Sequence, residues 1–146
     1  MNRLIREIRQ VNNLSKSINI LNQYNSNDWK KHIEFCNKNY KKNLFYRDQY
    51  FEMFIVCWNP FQETKIHNHS NKGCILKVLE GSINEKLYDI NFNLINECEL
   101  EKNKIRYIDN TLGIHKMING EKRCISLHIY SPPDQQFLNN KIIYTI

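Results

Sequence analysis

Residues 66–89 read IHNHSNKGCILKVLEGSINEKLYD. Two of the chain's five histidines, His67 and His69, stand one residue apart here, and Cys74 follows five positions after His69. On an extended chain successive side chains alternate, so residues two apart share a face. Both imidazoles then project to one side, as two adjacent ligands of a metal ion must. Taken alone, the pair reads equally well as two surface histidines beside a buried thiol. Ile75 to Leu79 is a short apolar run with the length of a strand buried on both faces. Gly81-Ser82 marks a turn, and Ile83 to Tyr88 predicts the next strand.

Outward from this hairpin the same texture continues. Tyr50 to Trp58 predicts another doubly buried strand. Phe92 to Leu100, Ile105 to Ile108, Lys116 to Ile118 and Cys124 to Tyr130 follow, and Lys141 to Ile146 predicts a last strand. Ser131-Pro132-Pro133 stops the strand before it, because proline has no amide to donate to a ladder. Many short strands separated by turns predict an antiparallel sandwich or barrel. The first forty residues differ. Leu4, Ile5, Ile8 and Val11 fall on one helical face, and Leu14, Ile18 and Leu21 continue that spacing. Ser26-Asn27-Asp28 are good capping residues for a third helix with Trp29, Ile33, Cys36 and Tyr40 along one stripe.

Composition narrows the function classes. At 146 residues the chain is most simply one domain with a sizeable core. The net charge of +6 permits nucleic acid or an anionic membrane as partner. The cations are dispersed, though, densest at Lys30-Lys31 and at Lys38 with Lys41-Lys42, and no aromatic-basic array for a single strand is apparent. The expectation is therefore no nucleic acid and no membrane partner. Five cysteines, odd in number and far apart, fit neither a disulfide framework nor a zinc ribbon, and reduced thiols in the cytoplasm account for them. Met53 to Trp58, the longest apolar run, is far too short to cross a bilayer, and no secretory leader is evident.

The spacings around the paired histidines carry more. From His69, four residues lead to Cys74 and six more to Gly81; later, His115 is followed by three residues and Asn119. These offsets resemble the two sequence motifs of cupins. There are two departures: Cys74 stands where most cupins carry a glutamate ligand, and Gly113 precedes His115 by two positions rather than three. Ser126, His128 and Tyr130 share one face of their strand by alternation. Either that face is wet, or it lines the barrel, where unpaired hydroxyls and imidazole would be costly and a Ser-to-His-to-Tyr hydrogen-bonded row would satisfy them.

At this point the chain resembles the cysteine dioxygenase family of cupins. The matching stretches are YKKNL (40–44), CWNPFQETKIHNHSNKGCILKVLEGSINEKLYD (57–89), YIDNTLGIHKMIN (107–119) and SLHIYSPP (126–133), in the family's order. The resemblance implies a cupin-type antiparallel β-barrel, or jelly roll, spanning residues 45–146, with an N-terminal helical segment, residues 1–44, packed on it as one domain, 1–146. It implies one Fe(II) per chain on His67, His69 and His115. It implies a catalytic row of Ser126, His128 and Tyr130, and a thioether between Cys74 and Tyr130. Neutral imidazoles add no charge and leave positions on the ion for a substrate thiolate and for dioxygen.

The family reads the substrate carboxylate with an arginine two residues after a tyrosine. Here that pair is Tyr40 and Lys42. A lysine neutralises a carboxylate without the planar two-pronged geometry of a guanidinium, and nearby Arg47 is the other candidate. The implied activity is oxidation of L-cysteine with O2 to cysteine sulfinate by a monomeric enzyme. The alternatives are a dioxygenase of another small thiol, such as 3-mercaptopropionate, and a metal-binding cupin without catalysis. Cys36, Cys57, Cys98 and Cys124 are expected to be incidental thiols, and His32 a structural histidine.

Overall fold

The structure, a computed structural model, describes residues 1–133 and the backbone of 143–144. Two short α-helices, α1 (Asn2–Arg9) and α2 (Ile18–Gln23), precede ten strands. The strands are β1 (Lys41–Arg47), β2 (Glu52–Trp58), β3 (Ile66–His67), β4 (Cys74–Glu80) and β5 (Ser82–Tyr88), then β6 (Leu94–Glu101), β7 (Ile105–Ile108), β8 (Ile114–Asn119), β9 (Cys124–Tyr130) and β10 (Ile143–Tyr144). They form two five-stranded sheets, ordered β1-β2-β9-β4-β7 and β10-β3-β8-β5-β6, with every named pairing antiparallel. This is a jelly roll of two facing sheets rather than a barrel closed by one continuous ladder. Among the described residues, no helix is long and apolar enough to cross a membrane.

The central strands of the first sheet, β2, β9 and β4, are buried on both faces, which is why they read as apolar runs rather than alternating ones. All seven residues of β2 and all seven of β9 are buried. One face, with Met53, Ile55, Ile75, Leu79, Leu127 and Ile129, meets Leu4, Ile8, Leu14, Leu21 and Trp29 of the N-terminal layer. The other face, with Phe54, Val56, Leu76, Val78 and Tyr130, looks into the space between the sheets toward Ile83, Leu100 and Met117. Each fully buried aliphatic side chain in these rows contributes about 1.5–3 kcal/mol. One polar residue interrupts the helix-facing row. Lys77 is 2% exposed and donates from Nζ to the carbonyls of Leu21 and Tyr24, both at 2.7 Å. It thereby closes the C-terminal end of α2, where helix carbonyls lack partners.

The N-terminal segment departs from expectation. Helical turns end at His32, after 3₁₀ turns at Leu14–Ser17 and Asp28–His32, and Lys41–Arg47 is already a strand. The stripe Trp29, Ile33, Cys36 and Tyr40 does not lie on one helix. Side chains from later in the chain take the carbonyls a helix would need: Asn43 donates to Glu34 O at 3.0 Å, and Gln62 and Asn59 to Cys36 O at 2.8 and 3.1 Å. The His32 ring lies 5.1 Å from that of Phe45. Of the predicted strand Lys141–Ile146, residues 143–144 pair with β3, and the rest lies outside the described residues.

Candidate metal centre

His67 and His115 are brought together by strand register. They are direct partners across the β3–β8 ladder, so their side chains leave the same face of the second sheet, toward the space between the sheets. His69 lies past the end of β3, which is only two residues long. Its backbone is held instead by one side chain. His69 N–H donates to Asn110 Oδ1 at 2.8 Å, and Asn110 Nδ2 donates to the His69 carbonyl at 2.9 Å. The amide of Asn110 thus replaces the next rung of the ladder. The three imidazoles end with His69 Nε2 at 3.0 Å and His67 Nε2 at 3.2 Å from His115 Nε2. All three residues are buried, and their ligand atoms lie within 4.8 Å of one another.

The outward nitrogens fix the tautomers. His67 Nδ1 is 2.9 Å from the Lys65 carbonyl oxygen, which only accepts, so Nδ1 carries the proton and Nε2 keeps its lone pair. His115 Nδ1 is 2.8 Å from Glu85 Oε1, with the same consequence. Two lone pairs therefore face each other at the centre. That arrangement is repulsive by itself and favourable around a cation, so the donor set fits a metal ion held by neutral imidazoles. Among the described residues no carboxylate joins them, and Cys74 occupies the position where the cupin motif carries glutamate.

Facing this cluster from the first sheet is the polar row of β9. Ser126, His128 and Tyr130 are all buried. Trp58 Nε1–H donates to Ser126 Oγ at 3.0 Å, which leaves the serine hydrogen for His128 Nε2 at 2.9 Å. His128 Nδ1–H then meets Tyr130 Oη at 3.2 Å. The row thus lines the interior, and Trp58 completes it in a way that alternation along one strand did not reveal. Burial holds the Tyr130 phenol well above its ordinary range, reinforced by Cys74 beside it. Cys74 and Tyr130 are direct partners in the β4–β9 ladder, and the phenol hydrogen-bonds the thiol. Gly73 enables this placement: it has φ +83°, and a Cβ there would stand 2.5 Å from the Ile108 carbonyl oxygen.

The cavity between the histidines and this row is also lined by Tyr40, Lys42, Thr64 and Met117. Lys42 Nζ sits over the rings of Phe54 and Tyr130, 4.3 and 4.2 Å from their centroids. Tyr40 stacks on Trp58 at 4.6 Å. Arg47 does not line the cavity. It lies at the far end of β1, bound by Nε and Nη2 to the buried carboxylate of Glu52 at 2.8 and 2.6 Å. Of the two cations weighed from sequence, Lys42 is therefore the one placed at the site. Cys124 is a buried thiol, pushed up to about 12 by desolvation, and none of the five cysteines is in a disulfide. Asn119 of the second motif ties loops together, donating to the Asn59 and Lys122 carbonyls, each at 2.8 Å.

Two facing sheets around a buried histidine cluster define a cupin. A cupin protein from Desulfovibrio desulfuricans superposes with a TM-score of 0.57 over 76% of this chain and 99% of that one; at 16% identity the likeness establishes the fold alone. The model of the cysteine dioxygenase type I family matches residues 2–140, and the chain belongs to that family. Cysteine dioxygenase type 1 of Danio rerio is 31% identical over 135 residues, covering 84% of this chain, and that of Homo sapiens is 32% identical over 125 residues, covering 78%. The chain spans 67% and 62% of the lengths of those two proteins.

Proposed function

We propose that this chain, as a single cupin domain, is a thiol dioxygenase that converts L-cysteine and O2 to cysteine sulfinate. His67, His69 and His115 would hold one Fe(II). When bound, ferrous iron supplies the redox-active centre at which thiolate and dioxygen meet. The observation that carries the reading is the meeting, at one cavity, of three imidazoles with the Ser126–His128–Tyr130 row and Lys42, with Cys74 beside Tyr130. Lys42 takes the substrate carboxylate as a single positive point, steadied by the faces of Phe54 and Tyr130. Tyr130 keeps its proton at Oη because it is buried, and presents it to the reacting sulfur and oxygen. His128, fixed by Ser126, which is fixed by Trp58, orients that phenol. Cys74 stands opposite Tyr130 in the ladder, which supports a thioether between them. The product is a sulfinate, two rungs up the thiol oxidation ladder. The free cysteines agree with a cytoplasmic enzyme.

One feature favours a second substrate. Lys42 lacks the fork of an arginine, so recognition of a carboxylate is less exacting, and an amine-free thiol such as 3-mercaptopropionate is the competing choice. Oxygen uptake by iron-loaded protein with each thiol decides between them. Faster turnover of L-cysteine is expected. Equal or faster turnover of 3-mercaptopropionate would reverse the assignment, and bound iron with no oxygen consumption for any thiol would reduce the protein to a metal-binding cupin.

A further inference from the structure

A buried carboxylate and its cation lie behind the third histidine. Glu85, on β5, is 1% exposed, and its Oε1 accepts from His115 Nδ1–H at 2.8 Å. It stands directly opposite Met117 in the β5–β8 ladder, and Leu87 stands opposite His115, so Glu85 reaches the imidazole on the diagonal of one face. Its other oxygen lies 2.5 Å from Arg106 Nε. Arg106 belongs to β7, in the opposite sheet, where it partners the inward residue Leu76. The same guanidinium donates from Nη2 to Cys98 Sγ at 3.0 Å.

A charge so buried is costly unless it is paired on both sides. Here one side is a cation and the other is the ring that faces the histidine cluster. We infer that Glu85, braced by Arg106 across the sheets, is a positioning residue for the metal centre: it fixes the His115 ring and its tautomer so that Nε2 meets the ion with its lone pair. This rests on the metal-centre reading above. His67 Nδ1 meets the Lys65 backbone carbonyl, whereas His115 Nδ1 meets a side-chain carboxylate.

The test is metal affinity rather than turnover. Metal-free protein is titrated with Co(II) in competition with a chromophoric chelator, and the ligand-field bands report the coordination. Glu85→Ala is expected to weaken Co(II) binding by about 10- to 100-fold. Glu85→Gln, whose amide oxygen still accepts from Nδ1–H, recovers most of the loss, which a merely space-filling role would not require. Arg106→Met shifts affinity in the same direction by less. Glu85→Ala binding Co(II) as tightly as the parent would overturn the inference. Where that variant fails to fold by circular dichroism, unchanged affinity in Arg106→Met overturns it instead. Parent protein and His67→Ala serve as controls: a parent that binds no Co(II), or binds it as well without His67, would sink the metal-centre reading itself.

Discussion

Tyr130 ends a chain of donors that starts at an indole. Because Trp58 donates to Ser126, each hydrogen in the row has one direction to point, and the Tyr130 oxygen is held from behind by His128. Under the proposed function, removing that oxygen costs a hydrogen bond at the reacting atoms, worth about a factor of ten in rate for about 1.4 kcal/mol. Tyr130→Phe is therefore expected to keep its metal, slow turnover about tenfold and carry no cross-link. Intact-mass measurement after maturation with substrate and oxygen is expected to show a population lighter by two hydrogens in the parent and none in the variant. Lys42 answers to a different readout. Loss of a charge-assisted hydrogen bond costs about 1.5–3 kcal/mol, so Lys42→Ala is expected to raise KM about 10- to 100-fold with a smaller change in kcat. An unchanged KM would move carboxylate recognition elsewhere.

At the scale of elements, what matters is which ladder holds which residue. Cys74 faces Tyr130 because β4 and β9 pair in that register, and a slip of β4 by one position would send Cys74 to the helix side, away from Tyr130. Gly81, at φ +78° between β4 and β5, fixes the turn; a Cβ there would stand 2.6 Å from the Arg123 carbonyl oxygen. On the other face of β4, Lys77 joins the helical layer to the sheet. Lys77→Met removes the donor from two buried carbonyls, Leu21 and Tyr24. The Leu21 carbonyl keeps the Tyr24 N–H, so the Tyr24 carbonyl is the one that loses its donor; such a loss costs about 1–3 kcal/mol, and chemical denaturation is expected to show a decrease of that size at constant m-value. A variant as stable as the parent would mean that desolvating the ammonium had cancelled its two hydrogen bonds.

For the whole molecule, the centre is built from both halves of the fold. The histidines come from the β10-β3-β8-β5-β6 sheet and its following loop, and the serine–histidine–tyrosine row comes from the other sheet. A bound ion therefore joins elements that separate on unfolding, and it stabilises the native state by mass action. With metal about a hundredfold above its dissociation constant, the gain is about 2.7 kcal/mol. At this size that is a rise in Tm of about 5–10 °C, absent in His67→Ala. Scanning calorimetry with and without chelator measures it, and identical melting in both would argue against a metal shared by these strands.

Sequence alone determined most of the strands though not β1, the shared face of Ser126, His128 and Tyr130, and the candidate ligands, because period-two alternation and fixed offsets are local properties of the chain; that this face turns inward was decided by the packing of the two sheets. The helical stripe over 26–40 failed because Asn43, Asn59 and Gln62, distant in sequence, claim the carbonyls of Glu34 and Cys36. Asn110, Glu85 and Trp58 gave no local signal. Each acts by touching a residue far away in the chain: His69 by 41 positions, His115 by 30, Ser126 by 68. The choice between Lys42 and Arg47 was likewise tertiary, since two cations five residues apart look alike until Glu52 is seen to hold one of them. Local pattern sets which way a side chain can face; only long-range register sets what it meets there.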